Sequence, residues 1–130
     1  MTGRTRWAVL AAAVAVVAPL ASSGHAAVAT AVAPPQAAAV GFATPTVVIV
    51  QGQVLTFVNL DTAGHTLTSV TTRKVKKGRR VYRVPIFNSG YLQTGNAPVK
   101  GTEKLKPGSY AFYCQPHGLM KGTLVVQAKP

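Results

Sequence analysis

From Thr46 to Gln127 the chain is a series of short β-branched and aromatic runs cut by glycine, proline and asparagine, with no helical period of useful length. This pattern restricts the fold more than any other feature. Short strands must pair with one another, and many of them joined by Gly/Pro turns close as an antiparallel sandwich or barrel. Thr46–Val50 (TVVIV) and Gln53–Asn59 (QVLTFVN) read as the first two strands, divided at Gly52. In the second, Leu55 and Phe57 share one face while Thr56 and Val58 share the other. A turn at Asp61-Thr62-Ala63-Gly64 leads to a third expected strand, His65–Thr71. Arg73–Arg83 reads as a hairpin about Gly78, and Pro85–Lys104 as mainly loop. Lys106-Pro107-Gly108 turns into a strand over Ser109–Cys114, and Gly122–Gln127 closes the domain.

The first residues belong to something else. Two arginines precede an unbroken apolar run, Trp7–Leu20, which ends in small residues. A basic start, a short apolar core and an A-x-A-like end describe an export leader over residues 1–29, cleaved after Ala26 or after Ala29. The run is shorter than the ~20 residues of a spanning helix, so the mature chain is expected to have no membrane span. Export places it in the periplasm, at the cell envelope or outside the cell. Residues 30–45 are rich in Ala and Pro and uncharged, and read as a flexible lead-in to a domain over 46–130.

Charge narrows the partners. The net charge of +12 becomes +10 once Arg4 and Arg6 leave with the leader. Such a domain, expected as a monomer, suits an anionic envelope polymer or an acidic protein. Export argues against nucleic acid. The segment Arg73–Arg83 (RKVKKGRRVYR) alone carries seven positive charges. Such a run is either a solvated flap or a docking surface for an acidic redox partner.

Cys114 is the only cysteine, so an exported chain keeps one thiol that no internal disulfide can use. It opens the run Cys114-Gln115-Pro116-His117-Gly118-Leu119-Met120, which puts a thiolate, an imidazole and a thioether within seven residues. Soft sulfur combined with imidazole selects copper over harder ions. Zinc takes Cys and His too, but its structural sites gather several cysteines. A blue-copper site needs a second histidine and a weak axial sulfur. His65, in the earlier turn, can supply the histidine, and Met120 the sulfur. After leader removal the chain holds two histidines, one cysteine and one methionine, which is one such set with nothing left over. Singly, a buried Cys is usually an inert small hydrophobe, a Met core filler and a turn His a surface residue. Those readings are independent, and they leave the clustering on one connection unexplained.

The stretches Asn59–His65 (NLDTAGH) and Pro107–Gly122 (PGSYAFYCQPHGLMKG) resemble those of the cupredoxins, with a loop spacing similar to amicyanin-like members. The resemblance covers roughly Pro45–Val126. It implies an all-β, Greek-key sandwich holding one type 1 copper ion. His65, Cys114 and His117 would be the equatorial ligands and Met120 the axial one. Asn59 would brace the ligand loops by hydrogen bonding. Plastocyanin-like members have a longer gap before the methionine, and the basic segment has no counterpart in the family pattern, so the choice of partner is not implied.

Function then divides into classes. A single-electron carrier between redox proteins is the first expectation, and extracytoplasmic copper binding or delivery through the same ligands is the alternative. A metal-free adhesion sandwich leaves the Cys-His-Met spacing without a role. An enzyme is not expected. There is no second histidine set for a catalytic copper, and the acids of the mature chain are only Asp61 and Glu103, too few for a Ser-His-Asp arrangement.

Overall fold

A computed structural model of the chain describes residues 28–130. The expected leader over residues 1–29 therefore lies outside the described residues except for its last two. No helix among the described residues is long and apolar enough to cross a membrane.

Among the described residues nine strands form: β1 Thr30–Ala33, β2 Thr46–Val50, β3 Leu55–Asn59, β4 Thr68–Ser69, β5 Thr72–Lys77, β6 Arg80–Pro85, β7 Gly95–Val99, β8 Gly108–Tyr113 and β9 Lys121–Gln127. A one-turn helix, α1, covers Ala37–Val40, and a 3-10 turn covers Thr102–Lys104. One sheet has the order β1-β3-β7, the other β2-β9-β8-β4, and β5-β6 makes a separate two-stranded ribbon. The all-β sandwich expected from the punctuated strands is the fold observed. Alternation drives it. Val47 and Ile49 of β2, Leu55 and Phe57 of β3, Phe112 of β8, and Leu124 and Val126 of β9 are buried at every second position and meet in one core.

Two pairings depart from the antiparallel pattern: β1 runs parallel to β3, and β2 parallel to β9. The first of them corrects the expectation of a flexible lead-in over residues 30–45. Ala31 and Ala33 are fully buried in β1, and Thr44 Oγ1 accepts a hydrogen bond from Val32 N at 2.9 Å. Phe42 stands edge-on to Phe57 of one sheet and Phe112 of the other, with centroids 6.2 and 5.1 Å away. An aromatic wedge between two sheets closes the core from within this segment. Phe42→Ala is therefore expected to lower stability by about 3–4 kcal/mol, from lost transfer energy plus the cavity left behind. Urea denaturation of the copper-free protein reads this directly; a flexible lead-in would give no change.

A second correction concerns Pro85–Lys104. Instead of a continuous loop it contains β7, paired antiparallel with β3. Pro98 is tolerated because β7 lies at a sheet edge, where a missing N–H faces no partner strand. The third expected strand is also shorter than its sequence implies: only Thr68 and Ser69 pair with β8, and His65 makes an isolated bridge to Leu92. The basic hairpin forms as expected. Gly78 takes φ 61° in its two-residue turn, the positive-φ conformation that tight hairpin turns favour.

These connections set one end of the sandwich. Asn59, the last residue of β3, pairs with Gly95, and the chain then crosses from the first sheet to the second through His65. At the same end β8 stops at Tyr113, opposite Lys121 of β9, so Cys114–Met120 is a hairpin loop anchored at both ends.

Candidate metal centre

Cys114 continues the inward face of β8 after Tyr110 and Phe112, and its thiol is fully buried. The loop it opens is closed by its own backbone. Cys114 N donates to Met120 O at 3.1 Å, His117 N to Cys114 O at 3.3 Å and Met120 N to His117 O at 2.9 Å. Proline at 116 fixes one further φ. Little freedom remains in the loop.

Folding brings His65 to the same place from 49 residues away. Its Nδ1 lies 3.6 Å from Cys114 Sγ, His117 Nδ1 lies 3.6 Å from the same sulfur, and the two Nδ1 atoms are 3.1 Å apart. The imidazole rings are tilted by 50° with centroids 4.7 Å apart. His65, Cys114 and His117 are the group among the described residues whose ligand atoms converge for a metal ion. Met120 is buried at the end of the same loop, with both its backbone groups tied to Cys114 and His117.

The donor set fits copper. Bonds of roughly 2.0–2.3 Å to nitrogen and sulfur, as first-row ions make, would let all three atoms share one ion at the separations seen. One thiolate with two imidazoles, backed by a buried thioether, is soft enough to prefer copper. The surroundings arm the ligands for that task. His65 Nε2 donates to Asp61 Oδ2 at 2.8 Å, which leaves the Nδ1 lone pair for a metal. The Cys114 sulfur accepts a long hydrogen bond from Thr66 N at 3.4 Å, which stabilises a thiolate without competing for the metal.

Asp61 does more than orient the ring. It also accepts from Gln36 N at 3.1 Å and Ala37 N at 3.3 Å, tying the start of α1 to the His65 loop. The His65 hydrogen bond is the largest cause, opposed next by desolvation and aided by the amides of Gln36, Thr62 and Ala37, and together they pull its carboxyl down from 3.8 to about 2. It stays an anion throughout the ordinary pH range. A Cβ on Gly64, just before His65, would fall 2.0 Å from the tip of the exposed Tyr91 ring, so a side chain there would have to displace Tyr91. Asn59 is buried and hydrogen-bonds four backbone groups around the site, as the resemblance implied.

Two contributors went unread in the sequence. Asp61 reads only as a turn residue, although an acid four positions before a ligand histidine is a usable signal. Thr66 has no such signal, because its part depends on a partner 48 residues away: its amide meets the sulfur, and its hydroxyl accepts from Gln115 N at 2.9 Å.

Comparison with known proteins agrees with this geometry. The family model for copper binding proteins of the plastocyanin/azurin family matches residues 27–127. No curated protein sequence matches the chain significantly. Among solved structures, a purple cupredoxin from Nitrosopumilus maritimus is similar, with 24% identity and a TM-score of 0.57 over 76% of this chain and 99% of that one. Amicyanin from Paracoccus versutus is similar at 20% identity, with a TM-score of 0.51 over 81% of this chain and 86% of that one. At these identities the structural likeness speaks for the fold. The family match begins at residue 27, so it includes β1 and the Phe42 segment.

Proposed function

The chain belongs to the plastocyanin/azurin family of copper-binding proteins, and from that premise we propose that it is an exported carrier of single electrons. Its one type 1 copper ion would be held by His65, Cys114 and His117, with Met120 as the weak axial ligand. When bound, copper supplies one-electron chemistry between Cu(I) and Cu(II). The observation that carries the reading is the convergence of the two Nδ1 atoms on a fully buried thiol.

The chain's own residues make that chemistry fast and confined. With protein groups in every ligand position, no place is left for a substrate. The self-bonded loop and the Asp61 and Thr66 contacts hold the ligands in one arrangement, so gaining an electron demands little movement. Core packing keeps water from Cys114. His117 differs, being only partly buried, and its neighbour Leu119 is 90% exposed. The His117 ring edge is therefore the port to a redox partner, and Leu119 is part of the apolar surface around it.

Addition of Cu(II) to the protein tests the reading. An intense thiolate-to-copper band with reversible reduction is expected, and ready loss of Cu(I) to a chelator would instead favour delivery. Leu119→Glu should slow electron exchange by about tenfold, through desolvation of a charge at the contact, and leave the band unmoved. Equal rates in stopped-flow exchange would remove the port from the proposal.

A further inference from the structure

The basic ribbon is poorly explained by the fold it decorates. Its register sets Lys74 opposite Arg83 and Lys77 opposite Arg80. Like charges directly across a strand pair destabilise it. A two-stranded ribbon is marginal to begin with, and β5-β6 joins neither sheet of the sandwich. Only its base is secured: Ser69 Oγ accepts from Ile86 N at 2.8 Å and donates to Thr71 O at 2.7 Å. No carboxylate lies on the ribbon itself. The chain's two acids are Asp61, engaged with His65, and Glu103, which accepts from Gly101 N at 3.0 Å. Among the described residues the one ion pair is that of His65 with Asp61.

The arrangement of the charges is more specific than a solvated flap requires. Cross-strand pairing puts Arg73, Val75 and Lys77 on one face with Val84, Tyr82 and Arg80, so cations and apolar groups alternate there. Much of that face lines a cleft of about 1070 Å³, and the sandwich contributes Lys100 and Lys104 to its lining together with one carboxylate, Glu103, so cations outnumber it four to one. Apolar surface of Val75, Val84 and Ile86 lies between the cations. None of the four proposed copper ligands lines this cleft. Lys100–Lys104 follow the end of β7 remote from Gly95, the residue that pairs with Asn59 at the metal end.

We infer that this cleft is a docking site for an acidic, extended segment of a partner protein. Its carboxylates would meet Arg73, Lys77, Lys100 and Lys104, and its alternate apolar side chains would cover Val75 and Val84. The period of two in the lining is that of an extended peptide, and both edges of the ribbon have unpaired backbone groups. A bare polyanion matches the charge but leaves the apolar surface uncovered. Docking here needs no metal and leaves the His117 edge free.

The test uses the full chain, with and without copper, and a fluorescein-labelled peptide of alternating glutamate and valine, read by anisotropy. Binding is expected, weakening by about tenfold or more as salt rises from about 50 mM to about 500 mM. Combined Arg73→Gln, Lys77→Gln, Lys100→Gln and Lys104→Gln should also weaken it at least about tenfold. Val75→Ser with Val84→Ser should weaken the peptide several-fold and leave binding of inorganic polyphosphate unchanged. Should a ribbon variant lose its circular dichroism, Lys100→Gln with Lys104→Gln on the sandwich wall gives an independent reading. Equal peptide affinity in the charge variants overturns the inference. So does polyphosphate binding as tightly as the peptide with no effect of the valine changes, which would make the cleft a polyanion site. Because the binding signal is independent of copper, its failure leaves the electron-carrier reading untouched.

Discussion

Cys114→Ser is expected to abolish the intense visible band of the copper-loaded protein while leaving the copper-free fold in place. The exchange is nearly isosteric at a fully buried site, and the serine oxygen can still accept from Thr66 N. Copper-free stability should therefore change by no more than about 1 kcal/mol. The metal chemistry changes far more. A serine hydroxyl stays protonated near neutral pH and, as a hard oxygen donor, cannot replace a soft thiolate. Binding to the native state alone stabilises it by about 2.7 kcal/mol when free ligand is a hundredfold above Kd. Thermal melts should show a copper-dependent rise for the parent protein and none, or very little, for the variant. A variant that keeps both the band and the rise would mean that the metal sits elsewhere.

What the sequence disclosed, and what it withheld, follows from the range of the forces involved. Strands β2, β3, β8 and β9 were legible because each carries its own alternation of large apolar residues. The convergence of His65, Cys114 and His117 was legible through residue type: a thiol, a thioether and an imidazole on one short connection have few other uses. β1 was not, since TAVA has small side chains and little strand preference, and it forms only because β3 offers it a parallel ladder. β7, with sequence GNAPV, was hidden for the same reason. Phe42 lies in the segment expected as a flexible lead-in; its role exists only once Phe57 and Phe112 have been brought together by two different sheets. Pairing context overrode local propensity in each case.

Asn59 joins local sequence to distant structure most directly, and Asn59→Ala should be the most destabilising single change among the residues that support the site. Its Nδ2 donates to Ala63 O and Leu92 O, both at 2.9 Å, and to Gln93 O at 3.1 Å, while Oδ1 accepts from Asp61 N at 2.9 Å. Two amide protons serve three carbonyls, so one bond is shared. Alanine would leave these groups unpaired where Asn59 now shields them from water, at about 1–3 kcal/mol for each buried group. Partial rewetting at the surface lowers the sum, and a net loss of about 3–4 kcal/mol is expected in denaturant titrations. The damage should also be chemical. Asn59 holds both the 60–64 turn and the 92–93 segment that brackets His65, whereas Cys114 and His117 rest on their own closed loop. Copper should still be captured, but with a weakened and broadened band as His65 loses its fixed position. Asn59→Asp separates bracing from bulk: it keeps the size and the Oδ1 acceptor but turns a second oxygen toward three carbonyls, and should be as harmful as alanine. If aspartate behaves like the parent protein in both assays, the three donated bonds carry no weight and the site is held by its ligand loop alone.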